Sequence, residues 1–327
     1  MKYLVYKSAV NIARAKKIDS VCLNSYYTKM LHLILNRNIN ACPYCHSANI
    51  IKYGHFLDNK QRHKCKDCGK TFSEVTNSIF SYSKKKIKYW LSYLGLMSKQ
   101  FTIRESAHAL KISPTTAFYW RHKILKVLND NLPSKLSGVI EIKTTYIKES
   151  FKGKRYTNNF NRPISVGNIH NDFADIADRR VCVLCCHDNS KTIFSKTLCR
   201  GSINYTSIYQ NLKDKLPSDC ELCTDNNMAY VSLAKKLNIK LHKLKYGTQI
   251  LEGKYHIKNA AKFDNNLKEI VSKCRGVCTR YLNFYIAWIK WLFNNDFHNC
   301  IINIIKTLIV SKVKFTNKDL HNIGELG

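Results

Sequence analysis

Cys42-Pro43-Tyr44-Cys45 and Cys65-Lys66-Asp67-Cys68-Gly69 stand nineteen residues apart, and this paired Cys-x-x-Cys spacing constrains the chain more than any other stretch of it. Each Cys-x-x-Cys turn puts two thiolates on one side of a tight knuckle. A hairpin between the knuckles then closes the pairs into a tetrahedron around one Zn²⁺. Gly69 supplies the permissive backbone that the second knuckle needs. The intervening residues read as two short strands, Ile50 to Phe56 and Gln61 to Lys64, joined by a turn at Leu57 to Lys60. A zinc ribbon over residues 41–80, ligated by Cys42, Cys45, Cys65 and Cys68, is therefore expected. Two disulfides or four unrelated buried thiols are the alternative, and neither often produces this spacing. The ribbon's cations, Lys52, His55, Arg62, His63, Lys64 and Lys66, fit phosphate contact and a solvated face equally well.

The chain is 327 residues long, enough for a large core plus one or two small domains. Its 54 Lys and Arg against 22 Asp and Glu leave a formal charge of +32. That excess points to a polyanionic partner, double-stranded DNA first. An AT-rich genome would supply part of the lysine, so the charge overstates selection for DNA binding. A membrane partner is disfavoured, because the most apolar run, Cys300 to Val310, is far too short to span a bilayer. Residues 1–20 carry no signal-peptide pattern, so a cytoplasmic chain with reduced thiols is expected. Four of its fourteen cysteines bind zinc in this reading, and most others, among them Cys182, Cys185 and Cys223, serve as small apolar residues.

Two short helices are expected in a lead-in over residues 1–40. After the ribbon, Ser83-Lys84-Lys85-Lys86 opens a helical pattern with Ile87, Trp90, Leu91, Leu94 and Leu96 on its apolar side. Thr102 with Glu105 three residues on is a capping-box order, predicting a helix to about Leu110. Ser113 before Pro114 starts another. Helix, short turn and helix over residues 81–132 predict a helix-turn-helix, with a plain helical hairpin as the alternative. The second helix would present Thr115, Thr116, Arg121 and Lys123 to DNA. From Gly138 the texture becomes strand-like: Val139 to Tyr146, Arg180 to Cys186, Thr192 to Thr197 and Cys220 to Thr224. Helical stretches follow at Tyr205 to Leu216 and Asn227 to Leu237, so residues 137–295 predict an α/β domain with a mixed sheet. Residues 147–179 read as a basic, irregular insertion. Beyond His256 a helical pattern runs to about Ile309, with Tyr281, Tyr285, Trp288 and Trp291 as a packed stripe. Residues 296–327 form a C-terminal helix and tail.

The order of zinc ribbon, helix-turn-helix, Val139-Ile140-Glu141-Ile142, Cys223-Thr224-Asp225, Tyr255-His256-Ile257-Lys258-Asn259 and Gly276-Val277-Cys278-Thr279-Arg280-Tyr281-Leu282 resembles bacterial insertion-sequence transposases. The likeness covers roughly residues 42–292. It implies an RNase H-like catalytic domain, binding to transposon terminal repeats and a possible homo-oligomer on DNA. It also implies two Mg²⁺ ions held by two aspartates plus a glutamate or asparagine, one ion activating the attacking hydroxyl and one stabilising the leaving oxygen.

The second of those ligands falls on Asp225, and Lys268 matches the family's basic residue. The other two depart from the pattern. The first-strand aspartate and its acidic follower fall on Lys143 and Thr144, and the third ligand falls on Ala261. An ammonium repels the dications that a carboxylate would bridge, so the resemblance implies a transposase-like protein with a degenerate catalytic site. Candidate replacements are Asp264, one helical turn past Ala261, and Asn259 if the alignment shifts by two. Glu141 lies about 6.6 Å from Lys143 along the strand, too far to take its place. An active strand-transferase with such displaced ligands, and a zinc-ribbon and helix-turn-helix regulator, are the competing readings.

Overall fold

The computed structural model describes residues 39–56, 61–81, 83–130, 135–153, 180–225, 227–244, 250–253, 255–294, 308 and 315–323. The lead-in over 1–40, the turn at 57–60, the insertion at 147–179 and the segment from 296 fall wholly or mostly outside them. The chain divides into two compact units, Met1–Val127 with Asn295–His321, and Leu128–Asn294 with Asn322–Gly327.

In the first unit, β1 (Ile50–His55), β2 (Gln61–Cys65) and β3 (Thr71–Phe72) form an antiparallel sheet in that order. The third strand went unread in the sequence because two residues carry no alternation. Its Phe72 is 2% exposed and packs with Cys42 and Cys65, while the His63 ring stacks on it at 5.8 Å. The helices are α1 (Ile87–Ser98), α2 (Ile103–Leu110) and α3 (Pro114–Asp130). The capping box closes as its spacing predicts. Thr102 Oγ1 accepts from the Glu105 N–H at 3.3 Å, and Glu105 Oε2 accepts from the Thr102 N–H at 2.8 Å. The turn is made by Lys111 at φ 50°, and Ser113 Oγ accepts from the Thr116 N–H at 3.1 Å to start α3. Trp120 of α3 stacks on Trp90 of α1 at 4.2 Å, and Phe80 meets Trp90 edge-on at 5.3 Å. The apolar stripes of α1 and α3 thus bury each other in an aromatic centre.

The second unit is built on a mixed five-stranded sheet. Its strands are β4 (Val139–Lys148), β5 (Arg180–Asp188), β6 (Ile193–Arg200), β7 (Glu221–Thr224) and β8 (Lys240–Lys243), in the spatial order β6-β5-β4-β7-β8. The pairs β4 with β5 and β5 with β6 are antiparallel, whereas β4 with β7 and β7 with β8 are parallel. That order and those directions make the unit RNase H-like. On one face α4 (Tyr205–Leu212) and α5 (Met228–Leu237) close over Ile140, Ile142, Leu184 and Leu222, with α5 contributing Tyr230 and Leu233. On the other, α6 (Lys258–Lys273) lies on β4 and β5, and α7 (Leu282–Asn294) lies on β6. Coverage on both faces explains why Val181 to Cys186 is apolar throughout rather than alternating, every residue of it being buried.

Two details depart from the sequence reading. A small hairpin, β9 (Ile250–Glu252) with β10 (Tyr255–His256), precedes α6. The helical pattern read beyond His256 is interrupted after Lys273, where Arg275 and Gly276 take φ of 53° and 87°. Lys152 stabilises that break: its Nζ donates to the carbonyls of Cys274, Arg275 and Gly276 at 2.8, 3.3 and 3.2 Å, partnering backbone acceptors that a helix end leaves open. Tyr281, Tyr285, Trp288 and Trp291 are buried, as the packed stripe requires.

Candidate functional site

The ribbon's four cysteines converge. Their Sγ atoms all lie within 4.8 Å of one another, with Cys42 and Cys68 at 3.6 Å and Cys45 and Cys65 at 3.5 Å. A Zn²⁺ with thiolates at about 2.3 Å needs edges of about 3.8 Å, so the donor set and its size fit zinc. The knuckles are held by the backbone: His46 donates to the Cys42 carbonyl at 3.0 Å and Gly69 to the Cys65 carbonyl at 3.1 Å. Gly69 sits at φ 69° with nothing within 4 Å of an added Cβ, so its backbone and not its space demands glycine. The thiols are electrostatically linked. Cys65 is lowered to about 7, first by the Cys68 backbone N–H. Cys45 is raised to about 12, because burial and the neighbouring thiols outweigh the Ser47 N–H that favours its thiolate. A dication among the four removes that mutual opposition. Among the described residues, no other three His, Cys, Asp or Glu side chains come together in this way.

The helix-turn-helix forms, but not every residue assigned to its DNA face lies there. Thr115 is exposed and Thr116 half-buried, its hydroxyl 2.8 Å from that of Ser113. Arg121 is 0% exposed: its Nη2 donates to the Phe101 carbonyl at 2.7 Å and its Nε to the Tyr93 hydroxyl at 3.2 Å. It ties α3 to α1 and cannot reach DNA. Lys123 is half-buried, its ammonium depressed by burial against the pull of Asp319 on α8 (Asn317–His321). The reason is angular. Arg121 falls one residue after Trp120 and three before Ile124, on the arc that packs on α1. The exposed cations near the turn are instead Arg104 and Lys111. Arg104 on the exposed arc of α2, and Lys111 at the cap that ends it, were the signal available in the sequence.

At the strand-end site, residues far apart in sequence do meet, though in other roles than expected. The parallel register pairs Ile142 with Thr224, so Lys143 in the middle of β4 and Asp225 just past the carboxyl end of β7 come next, where that ladder stops. Lys143 Nζ lies 3.3 Å from Asp264 Oδ2, and Lys268 Nζ reaches the same oxygen at 3.0 Å. Asp264 is only 2% exposed, with Oδ2 shared by two ammonium groups and Oδ1 buried without a hydrogen-bond partner. Asp225 is half-buried, and burial raises its pKa despite the Asn227 N–H and the Lys143 charge. Thr144, at the next position, faces the opposite side of the sheet and hydrogen-bonds the buried Tyr230 hydroxyl. Ala261 is buried and offers no donor.

Glu141 and Asn259 are bound to each other. Glu141 Oε2 accepts from the N–H groups of Asn259 and Ala260 at 2.8 and 2.9 Å, and Oε1 accepts from Asn259 Nδ2 at 2.7 Å. His256 Nδ1 lies 3.2 Å from the same Oε1. Since the N-cap residue of α6, Ile257, has no side-chain acceptor, a carboxylate from β4 caps the helix and meets its positive end. Sequence reading missed this role because the acceptor lies over a hundred residues from the donors it satisfies. The side chains present do not fit a two-Mg²⁺ site: Lys143 brings an ammonium where a carboxylate is needed, Ala261 offers no ligand atom and both Glu141 oxygens are engaged, which leaves only one carboxylate oxygen each of Asp225 and Asp264 buried without a hydrogen-bond partner.

No family model matches the chain. Over 119 residues, 36% of the chain, it is 30% identical to an uncharacterized protein in transposable element ISH50 of Halobacterium salinarum. The chain spans about two fifths of that relative, 40% of its length. Among solved structures, a pre-cleavage Mos1 transpososome aligns with 72% of this chain and 82% of its own at 13% identity and a TM-score of 0.26. The Mos1 strand transfer complex aligns over 72% and 81% at 13% identity and a TM-score of 0.25. Likeness at so low a TM-score assigns nothing to this chain. No helix of the described residues is long and apolar enough to cross a membrane.

Three outcomes follow from these geometries. Cys65→Ser removes zinc and unfolds the ribbon around residues 42–70, read as zinc content by metal analysis and as new protease cuts in that stretch. Glu141→Ala strands two backbone donors at the start of α6 and destabilises the second unit by about 3 kcal/mol in urea unfolding, with Glu141→Gln milder. Asp225 has a folded pKa above its unfolded value, so its contribution to stability is present in acid and lost as pH rises through the folded value. Asp225→Asn therefore raises the melting temperature at neutral pH, and the gain disappears on acidification.

Proposed function

We propose that this chain is a transposase-like DNA-binding protein that engages duplex DNA at transposon ends through its first unit and does not cleave it. The observation carrying this reading is the Lys143 ammonium, seated beside Asp225 and paired with Asp264 where strand transfer needs dications. A metal-bridging carboxylate there would gather positive charge, whereas Lys143 supplies one fixed charge with no open coordination position. The partial likeness to a transposable-element protein and the RNase H-like strand order support the ancestry.

Contact with DNA falls to the first unit. Thr115 and Ser113 at the exposed start of α3 offer hydroxyls to a groove, and Lys111 and Arg104 offer charge to phosphates. With a formal charge of +32 over the chain, affinity falls steeply with salt. Zn²⁺ on the four cysteines holds the ribbon in shape and takes no part in bond cleavage.

The deciding experiment incubates the purified full-length protein with its own flanking DNA in Mg²⁺ or Mn²⁺. The expected result is binding without nicking. Lys143→Asp with Thr144→Glu and Ala261→Asn should recover metal-dependent nicking, and Lys143→Asp alone should recover less. Nicking by the unaltered protein that disappears in Asp225→Ala would overturn the reading and make Asp264, Asn259 or Glu141 a ligand after all.

A further inference from the structure

The ribbon sheet turns an unusual face outward. Its edge strand β1 is exposed from Ile51 onward, and it leaves Tyr53 at 47%, Phe56 at 40% and Ile51 at 38% exposure. Register explains which side chains share that surface. Ile51 lies opposite Lys64 and Lys52 opposite His63, so the two-residue period puts Ile51, Tyr53, Arg62 and Lys64 on one face. His63 belongs to the other face, stacked on the buried Phe72. The Arg62 guanidinium lies 5.3 Å from the centre of the Tyr53 ring and 5.6 Å from that of Phe56, and Lys64 Nζ lies 5.1 Å from Tyr53. Exposed aromatic rings and half-buried cations are therefore interleaved on one face, with Arg62 Nη2 also 3.5 Å from Thr71 Oγ1.

Single exposed apolar side chains are ordinary, but two aromatic rings held together by cations on a flat sheet ask for a flat, anionic ligand. Duplex DNA offers phosphates, yet its base faces are stacked on one another and closed to an outside ring. Unpaired nucleotides offer both a π face and a phosphate at each step. The ribbon's basic balance, Arg62 and Lys64 with Lys52, Lys66 and Lys70 also exposed or half-exposed, matches a polyanion and repels a basic partner surface.

We propose that this face binds single-stranded DNA, with bases stacking on Tyr53 and Phe56 and phosphates meeting Arg62 and Lys64. The site is independent of α3 and of the strand-end cluster, so it stands or falls apart from the reading above. It lets one small module hold DNA whose strands have separated, beside a helix suited to the intact duplex.

The test compares binding of a fluorescent oligo(dT) and of a duplex of equal length to the zinc-loaded, full-length protein. Tyr53→Ala should weaken oligo(dT) binding about tenfold and leave duplex binding within about twofold, the loss expected when one stacked base loses its platform. Tyr53→Trp should keep the oligo(dT) affinity and show indole quenching on binding. Zinc content is measured for each variant. If Tyr53→Ala loses the metal, Phe56→Ala and Tyr53→Trp carry the comparison. Unchanged oligo(dT) affinity in the alanine variants, an unquenched tryptophan, or an equal loss on both DNAs would overturn the proposal, the last pointing to a duplex-phosphate contact.

Discussion

The Glu141 carboxylate, buried in the central strand and capping α6, is the constraint that most of the α/β unit depends on. A charge on β4 at 3% exposure is tolerable only if its oxygens are fully engaged, and the start of α6 supplies backbone donors at the required place. That contact fixes the helix against the sheet at one end. The Lys143 to Asp264 pair fixes it about one and a half turns further on. Charge on one strand is answered by charge and dipole on one helix, and the phase of α6 over β4 follows from both.

The same two contacts decide what the strand end can do chemically. A two-metal site is a place where carboxylates concentrate and water or substrate can enter. Here Asp264 is turned inward onto two ammonium groups, and Asp225 faces a fixed cation at the mouth of the parallel pair. Positive charge is still balanced against negative charge, which is why the arrangement is compatible with a well-packed fold. That positive charge is covalently part of the chain and has no vacant coordination sites.

Positive charge in the first unit is similarly divided between structure and surface. Arg121, which reads as a DNA contact from its type and position, spends its donors on the Phe101 carbonyl and the Tyr93 hydroxyl. Arg62 and Lys64 lie half-buried at the ribbon surface, beside aromatic rings. The total of +32 says nothing about which cations belong to which group. Burial separates them.

Local chemistry was legible in the sequence. The cysteine knuckles, the Thr102 and Glu105 capping box, the Ser113-Pro114 helix start and the strands β4 to β7 of the mixed sheet depend on residues within a few positions of one another, so their spacing was sufficient evidence. Strands β3, β8, β9 and β10 were not legible, being too short to show a period, and the break after Lys273 was hidden because its stabilising partner, Lys152, comes from over a hundred residues earlier. That Lys143 and Ala261 offer no metal-ligating oxygen could also be read directly, since the residue type alone decides it. Only the tertiary structure decided what fills the place: that Glu141 caps α6, that Asn259 is its partner, that Asp264 binds Lys143 and that Arg121 lies in the core. Each of these depends on a register or a helix phase set by packing between distant segments, and one residue of slip in a strand, or a hundred degrees on a helix, would have assigned every one of those side chains differently.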